Sequence, residues 1–183
     1  MKIAEGMPKT YYHYPRIVAI AGISLGREVN FIPLVWHTGL SFSPPLYGIS
    51  ISPKRYSYEL VLKSGEFSVN FVEYKYRHIV ERMGSVSGRD IDKAKLLGLN
   101  FKKGVKTNAP LLDISYIVHE CELIEHYKLG DHTLFVGLVK ATHYKEDYFD
   151  DKTMLKVESI SPLLYLGRHV YITVDPESKS AEG

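Results

Sequence analysis

The chain has 183 residues, of which 45% are apolar and 24% charged, and its net charge is +2. This length and composition predict one globular domain with its own core, and the weak charge argues against a nucleic-acid partner. The single cysteine, Cys121, excludes an intramolecular disulfide framework and favours a reducing, cytoplasmic location.

Apolar and alternating runs in the first half of the chain predict strands at 16–25, 28–36, 46–52 and 66–72. The first run follows a charged residue, as in a signal peptide, but it is too short to cross a bilayer and starts well inside the chain. No targeting segment or membrane span is therefore expected. Pro33 indicates that the second strand lies at a sheet edge, carries a bulge or ends there. A helix over 56–63 is predicted to end at Gly65.

The middle of the chain predicts a helical insertion, after which strands return. Helices are predicted over 73–83 and 89–97, the second opened by a capping box of Ser87 and Asp90 and closed by Gly98. Later strands are predicted at 114–125, 132–144 and 154–158.

These elements predict a mainly β domain with short helices. Several short strands are typical of a small barrel or sandwich, and nothing indicates the repeated βαβ units of a Rossmann fold. The domain is predicted to span residues 1–174, and the polar residues 175–183 are expected to form a frayed tail.

Common catalytic motifs are absent from the sequence. There is no G-x-G-x-x-G, P-loop, G-x-S-x-G, C-x-x-C or H-E-x-x-H pattern. This argues against a hydrolase, a phosphoryl transferase or a zinc enzyme. His119 and Cys121 share one face of a predicted strand and could join His132 or His143 in a metal site, but core packing is the favoured interpretation, and no metal is predicted.

A cationic tract suits a phosphate group. Lys54, Arg55 and Ser57 lie between a predicted strand and a predicted helix, where a guanidinium and free helix amides can bind phosphate oxygens. Ordinary surface charges on a turn are the alternative. Two further features complete the candidate site.

Trp36, the only tryptophan, is a candidate wall beside a planar ring, although a lone tryptophan is usually a core anchor. Asn30, His37 and Thr38 add polar groups beside a proline-interrupted backbone whose amides are free for a ligand. His132, which follows Gly130-Asp131, either belongs to a turn or faces a ligand at the barrel mouth.

The span from about Pro15 to Tyr171 resembles the flavin reductase-like family, with flavoredoxin-like and archaeal FMN-binding proteins as the most similar subgroup. The order and spacing of several short tracts carry this resemblance. The matching residues are Asn30, Pro33 to Trp36, Ser41, Pro44-Pro45, Lys54 to Ser57, Gly65 to Asn70, Ser87-Gly88, Asp92-Lys93, Glu120-Cys121, Gly130 to His132 and Phe135 to Gly137.

The resemblance implies a Greek-key split β-barrel, a homodimer, and FMN near the subunit interface. It implies that Trp36, His37 and Thr38 line the isoalloxazine and that Ser52, Arg55 and Ser57 lie near the ribityl phosphate, next to the Lys54 of the cationic tract. It also implies that Asn30 binds the cofactor, that Ser87, Gly88 and Lys93 approach it from the insertion, and that His132 lies where flavin meets the electron donor. Phe31 departs from the small residue that many members have after this asparagine.

The predicted function is an FMN-binding oxidoreductase of the NAD(P)H:flavin reductase type. Such an enzyme needs no acid–base dyad, because the cofactor carries the chemistry. Its electrons would pass to free flavin, a ferric complex, oxygen or an acceptor protein. The alternatives are a non-catalytic FMN-binding electron carrier and a β-barrel interaction domain without cofactor.

Overall fold

The computed structural model describes residues 2–3, 5–6 and 12–178. Strands dominate this part of the chain: β1 (Arg16–Ile17), β2 (Ala19–Leu25), β3 (Glu28–Leu34), β4 (His37–Phe42), β5 (Pro45–Ile51), β6 (Glu66–Val72), β7 (Phe101–Lys103), β8 (Pro110–Leu112), β9 (Ser115–Leu129), β10 (His132–Tyr144), β11 (Leu164–Gly167) and β12 (Val170–Ile172). The α-helices are α1 (Tyr56–Ser64), α2 (Arg77–Ser85) and α3 (Lys93–Leu97). Short 3-10 turns lie at Tyr74–Tyr76, Glu146–Tyr148 and Pro176–Ser178.

Seven antiparallel strands form the main sheet, in the order β3-β2-β6-β9-β10-β5-β4. Ile23 of β2 and Ile51 of β5 belong to one buried cluster, although three strands separate β2 from β5 in the sheet. The sheet therefore curls around this cluster while its edge strands, β3 and β4, stay unpaired with each other. Small sheets of β1-β11-β12 and β7-β8 complete the fold.

A second core lies on the other face of the sheet, against the helices. It contains Ile20 and Phe31 from the sheet and Val80 and Met83 from α2. Successive residues of β2 alternate between the two cores, so both faces of this strand are covered. This explains why residues 16–25 read as one continuous apolar run.

The mainly β prediction is confirmed, but some boundaries differ. The run 16–25 is divided at Val18, whose N–H bonds to the carbonyl of Leu163 at 2.9 Å. Pro33 lies in the edge strand β3, where a residue without an amide donor is tolerated. Strand β4 was not predicted because its sequence is mostly polar and exposed, and β7 and β8 were not predicted because each has only three residues.

The predicted capping box is wrong. Helix α3 begins after Asp92, whose Oδ1 accepts from the N–H of Lys95 at 3.0 Å. The Ser87 hydroxyl instead accepts from the N–H of Arg89 at 3.2 Å, in a turn before the helix. The predicted ends at Gly65 and Gly98 are confirmed, since both have positive φ after α1 and α3.

The carboxyl-terminal half also departs from the prediction in detail. Strand β9 continues to Leu129, because β10 pairs with it as far as the turn at Gly130. Residues 154–158 do not form a strand, and Leu155 makes only an isolated bridge to Phe149. The Asp150 side chain accepts from the N–H groups of Lys152 and Met154 and holds a turn just before them. Of the predicted frayed tail, residues 179–183 lie outside the described residues.

A buried carboxylate fastens the loop between β7 and β8 to the sheet. The Glu120 side chain, 0% exposed, accepts from the N–H groups of Val105, Lys106 and Thr107 at 2.8–2.9 Å. It also accepts from the Thr107 hydroxyl at 3.0 Å and from His143 Nε2 at 2.6 Å. Burial alone would raise the pKa of this carboxyl, but the hydrogen bonds, led by that from His143, outweigh it and lower the pKa to about 2.

His119 hydrogen-bonds to a protein group, as expected for a barrel residue, and His143 does so as well. His119 Nδ1 lies 2.9 Å from the Thr142 hydroxyl, and His143 bonds to Glu120. Burial lowers the pKa of His119 to about 4, so its ring is neutral at pH 7. In the described part of the chain, no helix is long and apolar enough to cross a membrane.

Candidate functional site

A cleft with a volume of about 610 Å³ opens where the first turn of α1, the segment between α2 and α3, and the chain between β3 and β4 meet. This volume lies within the range of about 300–1,000 Å³ typical of small-molecule sites. The cleft brings together ten of the twelve predicted site residues: Asn30, Trp36, Ser52, Lys54, Arg55, Ser57, Ser87, Gly88, Lys93 and His132.

One end of the cleft is cationic and rich in hydroxyls. Lys54 and Arg55 follow β5 in a turn closed by the N–H of Arg55, which bonds to the Ser52 carbonyl at 2.9 Å. Arg55 is the N-cap of α1 and makes no side-chain capping bond, so its side chain leaves the amides of the first turn uncapped. These groups suit the binding of an anion.

Lys93 is a buried cation in the cleft wall, only 5% exposed. Its ammonium donates to the carbonyl of Phe31 at 3.0 Å and to that of Met83 at 2.9 Å. Burial, followed by the charge of Arg55, lowers the pKa of Lys93 to about 8. An ammonium has three N–H donors, so one is left for a ligand.

Asn30 contributes an acceptor of its own to the cleft. Its Nδ2 donates to the Ser57 hydroxyl at 2.8 Å, whereas its buried Oδ1 has no hydrogen-bond partner among the described residues. Gly88 packs directly on this carboxamide, and a Cβ at position 88 would overlap Oδ1. Any larger residue at 88 would displace Asn30. The unpaired oxygen is suited to a donor from a ligand, because a buried acceptor without a partner is costly.

The other end of the cleft is aromatic. The rings of Trp36 and His132 lie 4.6 Å apart, and Trp36 Nε1 donates to the Tyr14 hydroxyl at 3.2 Å. His132 Nδ1 lies 2.8 Å from the Asp131 carboxylate, so Nδ1 carries the proton in this contact. This hydrogen bond from His132 lowers the pKa of Asp131.

His37 and Thr38 are not brought into the cleft. They line a neighbouring depression that shares Trp36 with it. The His37 ring is buried, with Nε2 3.0 Å from the Ile17 carbonyl and Nδ1 2.7 Å from the Tyr47 hydroxyl. Burial lowers the pKa of His37, which keeps the ring neutral. Its position follows from β4 starting at His37, whereas the sequence predicted one strand as far as Trp36.

Tyr14 and Tyr165 are among the aromatic residues of the cleft that the sequence did not predict as site residues. The first precedes β1 and the second lies on β11, which pairs with β1 through the Arg16–Tyr165 register. This pairing joins the two ends of the chain. No local spacing could have predicted it, although the tyrosine content of both segments was visible in the sequence.

The arrangement can hold a planar, polar molecule that carries a phosphate. Cations and hydroxyls meet the anionic group at one end, and flat side chains meet the ring at the other. The described residues contain no group of three or more His, Cys, Asp or Glu side chains suited to a metal.

Comparison with protein families gives a match to the model described as flavin reductase like domain, over residues 11–173. An uncharacterized protein of Aeropyrum pernix is 33% identical over 156 residues, which cover 85% of this chain and 59% of that protein. The chain thus spans less than two thirds of this relative. The FMN reductase (NADH) RutF 2 of Methylorubrum extorquens is 20% identical over 141 residues, covering 77% of this chain and 73% of that protein.

Two solved structures extend the comparison. The FMN-binding protein from Thermus thermophilus, with bound 1-cyclohex-2-enone, is 37% identical, with a TM-score of 0.88 over 99% of this chain and 98% of that chain. The flavoredoxin of Desulfovibrio vulgaris (Miyazaki F) is 22% identical, with a TM-score of 0.85 over 100% of this chain and 97% of that chain. The second likeness shows the fold alone.

Proposed function

The chain belongs to the flavin reductase like domain family and has the split-barrel fold predicted for it. From this we propose that it is an FMN-binding oxidoreductase that takes hydride from NADH or NADPH. The observation that carries the proposal is the cleft, with cations and hydroxyls at one end and aromatic rings at the other. The FMN-binding relative from Thermus thermophilus and the NADH-dependent FMN reductase of Methylorubrum extorquens support it.

The residues of the cleft fit FMN. Lys54, Arg55 and Lys93 supply positive charge for the phosphate, and the unpaired Asn30 Oδ1 offers an acceptor to a hydroxyl or ring N–H. Trp36 offers a flat surface for the ring system. We therefore assign phosphate binding to the cationic end, together with the hydroxyls of Ser52, Ser57 and Ser87.

Bound FMN would supply the hydride-accepting chemistry, and the protein would bind and orient the reactants. Gly88 lets the backbone pack directly against the Asn30 carboxamide in the cleft wall. His132 and Trp36 lie at the aromatic end, where we propose that they position the flavin or the nicotinamide. Contact of His37 and Thr38 with the isoalloxazine stays a prediction, since these residues line the neighbouring depression.

Two measurements test the function. Mass spectrometry of the ligand released by heat is expected to show FMN, whereas FAD alone, or no flavin after reconstitution, would contradict the proposal. Rapid anaerobic bleaching of the flavin by NADH or NADPH is then expected. If only dithionite reduces the flavin, the protein is an electron carrier. If the protein is colourless and takes up no flavin, the remaining interpretation is a barrel interaction domain.

We also propose a homodimer and a cytoplasmic location. Exposed apolar side chains on β4, Leu40 and Phe42, support an interface, and the single buried Cys121 suits a reducing compartment. Light scattering after gel filtration tests the dimer. A mass equal to one chain at micromolar concentration would contradict it.

The final acceptor of the electrons would be free flavin, a ferric complex, oxygen or a protein.

We expect FMN affinity to fall as pH rises through about 8, the pKa of Lys93. A bound phosphate favours the charged ammonium, so binding raises the pKa of Lys93. The attraction between Lys93 and the phosphate is therefore complete below about pH 8 and is lost as pH rises above it. The phosphate itself stays dianionic there, because its second pKa is about 6. Calorimetric titration on both sides of pH 8 measures the effect. Riboflavin, and the Lys93→Met variant with FMN, should lack this dependence.

Replacing His132 with alanine is expected to slow flavin reduction about tenfold to a hundredfold, because misplacing reacting atoms is costly. The spectrum of bound FMN should change little. Stopped-flow reduction by NADH measures the rate, and His78→Ala, an exposed histidine on α2, serves as the control. An unchanged rate would mean that His132 serves only the turn. Loss of FMN would mean that His132 binds the cofactor.

A further inference from the structure

Four oxidisable aromatic side chains form a series that begins in the cleft. Trp36 Nε1 donates to the Tyr14 hydroxyl at 3.2 Å. The rings of Tyr14 and Tyr165 are 6.1 Å apart, and those of Tyr165 and Tyr171 are 5.2 Å apart, measured between centroids. Trp36, Tyr14 and Tyr165 line the cleft, whereas Tyr171 lies on β12 beyond it.

We propose that this series is a route for one-electron oxidation that carries an oxidising equivalent from the cleft to Tyr171. Indole and phenol are among the side chains that lose one electron most readily. Each ring in the series is in contact with the next or joined to it by a hydrogen bond, so every step is short. The Cys121 thiol, which is also easily oxidised, is buried in the barrel core and is not part of this series.

The first step uses the Trp36–Tyr14 hydrogen bond. A radical oxidant, such as a peroxyl or azide radical, takes an electron from the indole of Trp36 and is reduced to the peroxide or azide anion, while the indole N–H proton passes to solvent. The indolyl nitrogen then becomes an acceptor, and the Tyr14 hydroxyl turns to donate to it. Transfer of one electron and one proton from Tyr14 restores the tryptophan and leaves a neutral tyrosyl radical. The bonded geometry at 3.2 Å lets both particles cross the same contact.

The later steps pass through the tyrosines. Tyr165 gives an electron to the Tyr14 radical and loses its phenolic proton to solvent, while Tyr14 regains a proton. Tyr171 then restores Tyr165 in the same way. Pairing of β1 with β11 and of β11 with β12 fixes these distances. Burial raises the pKa of Tyr171 to about 12, so it is a neutral phenol before oxidation. The route ends outside the cleft, so the radical does not stay on the side chains that line the cleft.

The experiment uses flavin-free protein, so its outcome is independent of the proposed reductase function. Azide radicals, made by pulse radiolysis, oxidise tryptophan in preference to tyrosine at neutral pH, and Trp36 is the only tryptophan. In the unaltered protein, the visible absorption of the indolyl radical is expected to decay by a first-order process as the near-ultraviolet absorption of tyrosyl radical rises. Trapping with a nitroso spin trap, followed by peptide mass spectrometry, is expected to place the adduct on Tyr171.

Two variants test the links. Tyr14→Phe keeps the ring but removes the hydroxyl, and loss of the first-order conversion is expected. Tyr171→Phe should keep the conversion and move the adduct to Tyr165 or Tyr14. Tyr144→Phe, at the far end of β10 from His132, is the matched control and should behave like the unaltered protein. The proposal is overturned if Tyr14→Phe converts as before, if the rate grows with protein concentration, or if adducts form mainly on tyrosines outside the series.

Discussion

Replacing Glu120 with alanine is expected to lower the free energy of unfolding by about 3–5 kcal/mol, because it breaks a buried hydrogen-bonded charge and leaves its partners without an acceptor. Those partners are the three loop amides at residues 105–107, the Thr107 hydroxyl and His143. Urea denaturation measures the change. The loop between β7 and β8 should also lose protection against hydrogen exchange.

Glu122 offers a matched control two residues along the same strand. Its carboxylate is exposed and pairs with Lys140 at 3.0 Å, so Glu122→Ala should cost only about 0–1 kcal/mol. Equal losses for the two variants would contradict the role given to Glu120.

Acid should remove the same stabilisation. The pKa of Glu120 is lower in the folded state, at about 2, than in the unfolded chain. Its contribution is therefore complete above the unfolded pKa and is lost as pH falls through about 2. Glu120→Gln should flatten the acid limb of the stability curve. A curve that keeps the full acid dependence in this variant would assign it to other carboxylates.

Replacing Arg55 with alanine is expected to weaken FMN binding by about 1.5–3 kcal/mol, through loss of a charge-assisted bond to phosphate. Riboflavin lacks the phosphate and should lose much less. Calorimetric titration with both ligands measures the difference.

Lys63→Ala is the control for charge alone, because Lys63 lies in the last turn of the same helix, away from the cleft. It should leave both affinities nearly unchanged. If Arg55→Ala weakens FMN and riboflavin equally, Arg55 does not contact the phosphate.

The strands were predictable where a buried face repeats with a period of two. Phe67, Val69 and Phe71 alternate along β6 and all enter the barrel core. Strand β4 was not predicted because it is mostly exposed and Ser43-Pro44 follows it directly. The length of β9 escaped as well, since its last residues are exposed and are held mainly by pairing with β10.

The candidate site was predictable where its residues are neighbours in sequence. The short tract with Lys54, Arg55 and Ser57 predicts an anion site, and all three residues line the cleft. Tyr14 and Tyr165 reach it only through pairing between the two ends of the chain. The burial of Lys93 was equally hidden, because lysine is seldom buried and the carbonyls that hold it come from β3 and α2.

The position of Trp36 gives the protein an optical probe of its own cleft. All indole emission comes from this side chain, since the chain has no other tryptophan, and its ring borders the space that a ligand would fill. Quenching of that emission would therefore count occupied clefts directly, without a label.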